Sequence, residues 1–117
     1  MINIEINGKV IYTTAKGKLT EEDYDKLVPH LDDMIKEYGK IRWYFEMQDF
    51  DGWEASAFWK DMKFDIKHTN DLERIAMVGD EQWEKWLAAV MKPFTPAMVR
   101  FFQPGQEYEA REWIREA

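Results

Sequence analysis

Apolar residues in this chain follow two alternating spacings, and this alternation limits the fold more than any other feature of the sequence. Segments with an apolar residue at every second position, typical of strands, are followed by segments with apolar residues three or four positions apart, typical of helices. The predicted order is β-β-α-β-α-β-α-β-α. Three consecutive strand-helix-strand units imply right-handed crossovers and a largely parallel sheet, so the sequence predicts an α/β fold.

The predicted sheet has about five strands and begins with an antiparallel hairpin. Apolar and polar residues alternate over residues 2–6, Asn7-Gly8 is a strong signal for a tight turn, and residues 9–15 form the returning strand. The later strands are expected to run parallel to one another. They are predicted at residues 41–48, 72–78 and 97–102.

Four helices are predicted between and after these strands. The first begins at a capping box from Thr20 to Asp23 and ends at Gly39, and Pro29 inside it should kink the helix or force a local repair. A turn over residues 49–52 is expected to lead into the second helix. The other three helices are predicted at residues 53–67, at residues 81–91 after an Asp80 N-cap, and near the C-terminus, where Ala110, Trp113 and Ile114 should be buried.

Charged residues interrupt the predicted strands at alternate positions: Arg42, Glu46, Arg74 and Arg100. Strands covered by helices on both faces usually have continuous apolar sequences, and these strands do not. We therefore expect a β-α superhelix in which most helices lie on one face of the sheet. The opposite face would carry the row of charges, either partly exposed or closed by a second subunit in a homodimer.

Composition narrows the class of protein. The chain has 117 residues, which predicts a single domain over residues 1–117, and it contains no cysteine, which excludes disulfides and thiolate chemistry. No apolar run is long enough for a secretory signal or a membrane span, so we expect a cytoplasmic protein whose membrane contact could only be peripheral. The net charge of −7 argues against binding to nucleic acid.

Aromatic-rich stretches give the chain a family resemblance, at residues 50–54, 58–68, 75–86 and 92–95. With these stretches, the chain resembles the SpoIIAA-like branch of the STAS fold, which is itself similar to the CRAL-TRIO lipid-binding fold. The resemblance covers nearly the whole sequence. It implies a superhelical β-α domain that acts in regulation or binding and has no enzymatic activity.

Ser56 is the only serine of the chain and lies near the position of a regulatory serine in the family. In the sporulation regulators that the chain resembles, a serine at the start of the helix after the third strand is phosphorylated. Here Ser56 is about one turn inside the predicted helix, and Asp49, Asp51 and Glu54 precede it, where like charges would oppose a phosphate. We therefore favour a packing role for Ser56 over a phosphorylation site.

The ionisable residues do not form a recognised catalytic or metal-binding pattern. His30 and His68 lack His or Glu partners at metal-ligand spacing, and His68 is placed to cap the end of the second predicted helix. Single glycines in separate turns do not make a phosphate-binding loop, so no cofactor is expected. Acidic residues cluster near the predicted carboxyl ends of the strands, where capping explains them better than catalysis: Asp49, Asp51, Glu54, Asp80 and Glu81.

The second and third predicted helices contain more aromatic and methionine side chains than one buried stripe per helix needs. Ordinary core packing is one explanation, and a groove between the two helices is the other. Such a groove would hold a small nonpolar or amphipathic, lipid-derived ligand, or the same face would dock a protein, as in a partner-switching antagonist of an anti-sigma factor. The residues predicted to line it are Trp53, Trp59, Met62, Trp83, Trp86 and Met91, with His68 and Lys92 as cations for a polar head group.

We predict that neither DNA nor RNA binds this protein near physiological salt. The net charge of −7 repels phosphate, and Lys and Arg are not clustered along the sequence. Fluorescence anisotropy with labelled duplex and single-stranded oligonucleotides checks this, and a salt-sensitive micromolar complex would contradict it.

Overall fold

The computed structural model describes residues 2–53, 72–80 and 98–116. In this part of the chain five strands form one sheet in the order β1-β2-β3-β4-β5, with β1 antiparallel to β2 and the other neighbours parallel. The α/β fold and the N-terminal hairpin are thus confirmed. The elements are β1 (Ile2–Asn7), β2 (Val10–Leu19), α1 (Glu21–Tyr38), β3 (Ile41–Trp53), β4 (Leu72–Val78), β5 (Met98–Phe102) and α2 (Glu107–Arg115). Of the four predicted helices, α1 and α2 are the first and the last, and the other two lie outside the described residues.

Helix α1 begins and ends as its sequence predicts. The Asp23 N–H donates to Thr20 Oγ1 at 3.3 Å and the Thr20 N–H donates to the Asp23 carboxylate at 3.0 Å, which completes the capping box. Burial raises the pKa of Asp23, but the other interactions of its carboxylate, of which the hydrogen bond from the Thr20 N–H is the largest, together lower it. At the other end Gly39 has a φ of 79° and donates its N–H to Ile35 O at 2.8 Å. Pro29 lies inside the helix on its exposed side.

The two described helices pack against opposite faces of the sheet. We call the side contacted by α1 the α1 face, where Leu27, Leu31 and Met34 pack against Ile11 and Ile41. The other side is the α2 face, whose apolar cluster draws on the sheet and on α2: Val10, Tyr44, Ala76, Val78, Phe102, Ala110 and Ile114. The expectation that the charged face lacks a helix is therefore wrong, because α2 covers it.

Two of the charged residues on the α2 face, Arg42 and Arg74, find hydrogen-bond partners at the C-terminal end of α2. Arg42 is 5 % exposed and donates to the main-chain oxygens of Ile114, at 2.9 Å, and Glu116. Arg74 donates to the oxygens of Trp113, at 3.0 Å, and Glu116, at 3.2 Å. The last carbonyls of a helix have no partner within the helix, so two arginines of the sheet satisfy the end of α2. We call this arrangement the arginine clamp.

The arginines on this face also stack on aromatic rings. The Arg74 guanidinium lies 5.3 Å from the Trp113 ring centre, and Arg100 lies 6.0 Å from the same ring and 5.0 Å from that of Phe102. A planar guanidinium can cover a ring while its N–H groups remain free for carbonyl oxygens, which lysine cannot do as well. Alternate charged positions in strands are therefore compatible with a covered face.

Strand β3 is longer than predicted and contains the segment expected to be a turn. It runs to Trp53 and pairs with β2 from Arg42 to that end, apart from the unpaired Asp49 and Asp51, so Trp53 ends a strand and does not begin a helix. The pairing shifts register around Gly17, and Asp49 has a φ of 47°. Turn-forming residues can also form β-bulges, because both need unusual dihedral angles; here pairing with β2 selects the bulge.

We predict that Arg42→Ala lowers the free energy of unfolding by about 3 kcal/mol, because it removes the donor to the buried Ile114 carbonyl and one of the two donors to Glu73. Arg115→Ala is the matched control. That arginine is exposed and pairs with Glu112 at 2.5 Å, so its loss should cost less than about 0.5 kcal/mol. Urea unfolding followed by circular dichroism measures both values, and equal losses would contradict a clamping role.

Candidate functional site

The carboxyl ends of the parallel strands meet at one edge of the sheet, which is where open α/β sheets place binding sites. Strands β3 and β4 pair only as far as Glu46 and Val78, whereas β2 and β3 pair on to Leu19 and Trp53. Residues 16–19 and 48–53 therefore form a two-stranded arm that projects beyond β4, and we call it the β2–β3 extension. Two segments rich in aromatic and methionine residues, 54–71 and 81–97, continue the chain from this edge, one after Trp53 and the other after Asp80.

The β2–β3 extension presents polar groups and irregular backbone. Lys16, Lys18, Gln48 and Asp49 are exposed, so both signs of charge are available on the two strands. Gly17 has a φ of 63° and Asp49 one of 47°, and these positions coincide with the register shifts between the strands. Bulges of this kind redirect side chains and are frequent beside functional sites. The extension is therefore a polar, accessible part of the carboxyl edge.

Gly79 fixes the place where the chain leaves β4. It is buried, and a Cβ at this position would lie 2.5 Å from Met47 Cε, so only glycine allows this approach of β4 to β3 without a shift of Met47. The Gly79 N–H donates to Phe102 O at 3.1 Å, which ties the same point to β5. Asp80 follows and is exposed. The segment after Asp80 thus starts from a tightly held point at the carboxyl edge.

A buried polar network lies at the base of the extension on the α2 face. The Tyr44 hydroxyl donates to Glu46 Oε1 at 2.5 Å, and Gln48 Nε2 donates to Glu46 Oε2. The Arg111 guanidinium of α2 lies 4.9 Å from the Tyr44 ring centre and 5.3 Å from that of Tyr12. Glu46 is only 6 % exposed, and both of its oxygens accept a hydrogen bond. The network connects β3 to α2 and holds its carboxylate in place.

This network is not arranged for proton transfer. Burial first, and then the hydrogen bond and the negative charge of Glu46, raise the pKa of the Tyr44 hydroxyl far above its ordinary value. Tyr44 therefore keeps its proton at neutral pH and acts as a donor to Glu46. A general base needs a free acceptor within reach of a substrate, and Glu46 has two occupied oxygens. Its chemistry is that of a structural link.

Of the eight residues predicted to form the groove, Trp53 alone lies within the described residues. Trp53 lies at the end of β3, so the expectation that it opens a helix is wrong, although its position at the carboxyl edge agrees with the prediction. His30 is exposed on α1, and no three His, Asp or Glu side chains converge on a metal site among residues 2–53, 72–80 and 98–116. The residues that lie outside the described part are Ser56, Trp59, Met62, His68, Trp83, Trp86, Met91 and Lys92. The groove between helices thus stays a prediction.

The residues of the polar network were not predicted from the sequence. Tyr12, Tyr44 and Glu46 occupy alternate strand positions, which indicates a shared face, but alternation does not show that a helix covers it. Arg111 is a polar residue in an amphipathic helix, and its position in the sequence does not indicate that it contacts Tyr12 and Tyr44. The pairing of β2 with β3, in which Tyr12 lies beside Tyr44, brings the network together.

Comparisons with known proteins agree with this architecture. The family model described as SpoIIAA-like matches residues 10–115. A structure from Shewanella loihica, described as an uncharacterised protein with a SpoIIAA-like fold, is 29% identical, with 97% of this chain and 92% of that chain covered and a TM-score of 0.76. The unphosphorylated anti-sigma factor antagonist SpoIIAA is 12% identical over 100% of both chains with a TM-score of 0.62, which is a likeness of fold.

A search of curated proteins found no match. Within the described residues, neither helix has the length and apolar character that crossing a membrane would require.

We predict that the stability of the protein falls above about pH 10 and that Tyr44→Phe reduces this fall. Because the folded state raises the pKa of Tyr44 above its ordinary value of 10.0, the stabilisation is complete below that pH and is lost as pH rises. A single such group changes the free energy of unfolding by at most about 1.4 kcal/mol per pH unit. Urea unfolding at pH 8 to 11 measures both slopes; the same slope in both proteins would contradict the prediction.

Proposed function

Because the chain belongs to the SpoIIAA-like family, we propose that it is a non-enzymatic regulatory domain that binds a protein partner at the carboxyl edge of its sheet. The observation that carries this proposal is the likeness of fold, over the full length of both chains, to an anti-sigma factor antagonist. The description of that protein says that it opposes an anti-sigma factor, so its target is another protein. A fold alone does not determine function, so the proposal also depends on the geometry of the edge.

The geometry of the β2–β3 extension suits a protein surface better than a substrate pocket. On the β4 side, no described strand pairs with β3 beyond Glu46, and the extension projects with exposed Lys18, Gln48 and Asp49. A projecting arm with charges of both signs can meet a partner through a polar rim, while the aromatic-rich segments that begin beside it would supply the apolar centre. The rigid link from Glu46 to α2 supports the base of the arm.

A second candidate function is the binding of a small nonpolar or amphipathic ligand. The observation in its favour is the concentration of tryptophan and methionine in the two segments that begin at the carboxyl edge. Aromatic and thioether side chains suit apolar ligands, and His68 or Lys92 would hold a polar head group. The proposed lining residues are Trp53, Trp59, Met62, Trp83, Trp86 and Met91.

We predict that Trp86→Ala lowers partner recovery in quantitative affinity capture at least about 30-fold, as expected for an interface hot spot. Tyr38→Ala is the control, since Tyr38 is an exposed aromatic residue at the end of α1, just before β3 begins at the opposite edge of the sheet. Thermal melts of both variants accompany the capture. A core role for Trp86 would lower stability by about 3 to 5 kcal/mol. Recovery of the same partner by Trp86→Ala, or loss of the fold in Trp86→Ala and in the companion Trp59→Ala, would contradict the docking surface.

The same protein can be tested for the second candidate. Native mass spectrometry before and after organic extraction detects a copurified apolar molecule as a mass difference that disappears on extraction. Loss of that mass difference in Trp59→Ala, with an unchanged melting temperature, would favour the ligand groove. A protein without added mass that still captures its partner would favour docking alone.

A further inference from the structure

The described sheet ends in two edges, β1 on one side and β5 on the other. The Gly79 N–H donates to Phe102 O, so the main-chain groups of Phe102 face β4. Neighbouring residues of a strand point their main-chain groups to opposite sides, and therefore Val99 and Phe101 direct theirs away from the sheet. The register between β4 and β5 is continuous, without a bulge that would disrupt this edge.

The outward groups of β1 follow from its hairpin. Asn7 pairs with Val10 across a two-residue turn, which places the Asn7 main-chain groups on the β2 side. By the same alternation, Ile4 and Ile6 direct their N–H and C=O groups outward. The outward residues are thus Val99 and Phe101 on β5, and Ile2, Ile4 and Ile6 on β1.

The two edges fit each other in one antiparallel register that pairs all five residues of β5. Outward residues must face outward residues to form hydrogen bonds, so Ile6 lies opposite Val99 and Ile4 lies opposite Phe101. This register necessarily places Glu5 opposite Arg100. The complete set of opposed residues is Asn7 with Met98, Ile6 with Val99, Glu5 with Arg100, Ile4 with Phe101 and Asn3 with Phe102.

Side-chain faces agree with this register. Ile4 and Ile6 lie on the α1 face, as do Val99 and Phe101, so two apolar pairs would form there. Ile6 is 45% exposed in the single chain and would be covered. Glu5 lies on the α2 face because it pairs with Tyr12, and Arg100 lies on that face because it pairs with Ala76. Cross-strand pairs of these types stabilise antiparallel sheets.

Charge selects this pairing over the symmetric one. Two copies joined through β5 alone, with all five residues paired, would place one Arg100 opposite the other, and like charges opposed across strands destabilise a sheet. Arg100 is exposed, and its contacts within the described residues are with the rings of Phe102 and Trp113. Glu5 is also exposed. The β1 edge therefore carries a negative charge at Glu5, and the β5 edge carries a positive charge at Arg100.

We propose that this protein associates with itself by adding the β1 edge of one copy to the β5 edge of the next. The interface is heterologous: each copy pairs its β1 edge with one neighbour and its β5 edge with another. Assembly therefore grows head to tail. It joins only five residue pairs, so it depends on protein concentration, and the pair formed by Glu5 and Arg100 makes it sensitive to salt. This association uses neither the carboxyl edge nor the partner surface proposed above.

Charge exchange tests the register. Sedimentation velocity of the wild-type chain over a range of concentrations should show species larger than a single chain, which decrease at 0.5 M salt. Glu5→Arg and Arg100→Glu should each reduce the association constant at least tenfold. The chain that carries both substitutions should recover it, because the pair is restored with its charges exchanged. Lys26→Glu, at an exposed position on α1, is the control and should associate as the wild type does.

Amide hydrogen exchange tests the edge without any substitution. The N–H groups of Val99 and Phe101 should gain protection as the wild-type concentration rises, and those of Ile4 and Ile6 should gain it in parallel. The Arg100 N–H faces β4 and should exchange at a rate independent of concentration. Circular dichroism of each variant confirms that the fold is retained.

Three outcomes would overturn the proposal. These are a single-chain mass at every concentration with unchanged exchange at Val99 and Phe101, association that survives both single charge reversals, and a double variant that associates no better than the single ones. Failure of the partner capture described above would leave this association intact, because the two surfaces lie at different places on the sheet.

Discussion

The arginine clamp at the end of α2 decides the organisation of this protein. Arg42 and Arg74 donate to the last free carbonyls of the helix, and no apolar residue could satisfy those groups. Because the arginine side chains of the sheet and the carbonyls at the end of α2 satisfy each other, α2 can cover a sheet face that carries charged residues. Because Arg42 also bonds Glu73, the clamp holds the amino ends of β3 and β4 and the C-terminus of α2 together. The hydrogen bonds from Arg42 and Lys9 stabilise the charged form of Glu73 and lower its pKa.

With the clamp in place, the two faces of the sheet have different chemistry. The α1 face is held by aliphatic packing, whereas the α2 face combines a small apolar cluster with buried Glu46 and stacked arginines. Polar networks of this kind require specific partners and so favour a single arrangement of the helix. At the carboxyl edge, the pairing of β2 with β3 departs from a regular register near Gly17 and Asp49. The shape of this edge is the geometric basis of the binding role proposed above.

Local signals in the sequence predicted the parts of the fold that depend on neighbouring residues. The Thr20 capping box, the N-terminal hairpin and the bounds of β4 are confirmed, because each depends on contacts within a few residues. The two turn residues of the hairpin are Gly8 and Lys9, and β2 runs over Val10–Leu19, beyond its predicted end at residue 15. The end of β3 was predicted wrongly, since Asp49 to Gly52 has the composition of a turn and yet pairs with β2. The polar network around Tyr44 was also missed, as its members are brought together from β2, β3 and α2.

The sequence by itself determined which residues of a strand or helix share a face, and in what order the five strands and the two described helices follow. Those properties come from the two-residue repeat of strands and the 3.6-residue repeat of helices, which any local stretch displays. Only the tertiary structure decided that α2 covers the face with Arg42, Glu46, Arg74 and Arg100. The carbonyls at a helix end are the same for every sequence, so no residue pattern announces that they will accept hydrogen bonds from arginines some 40 to 70 positions away.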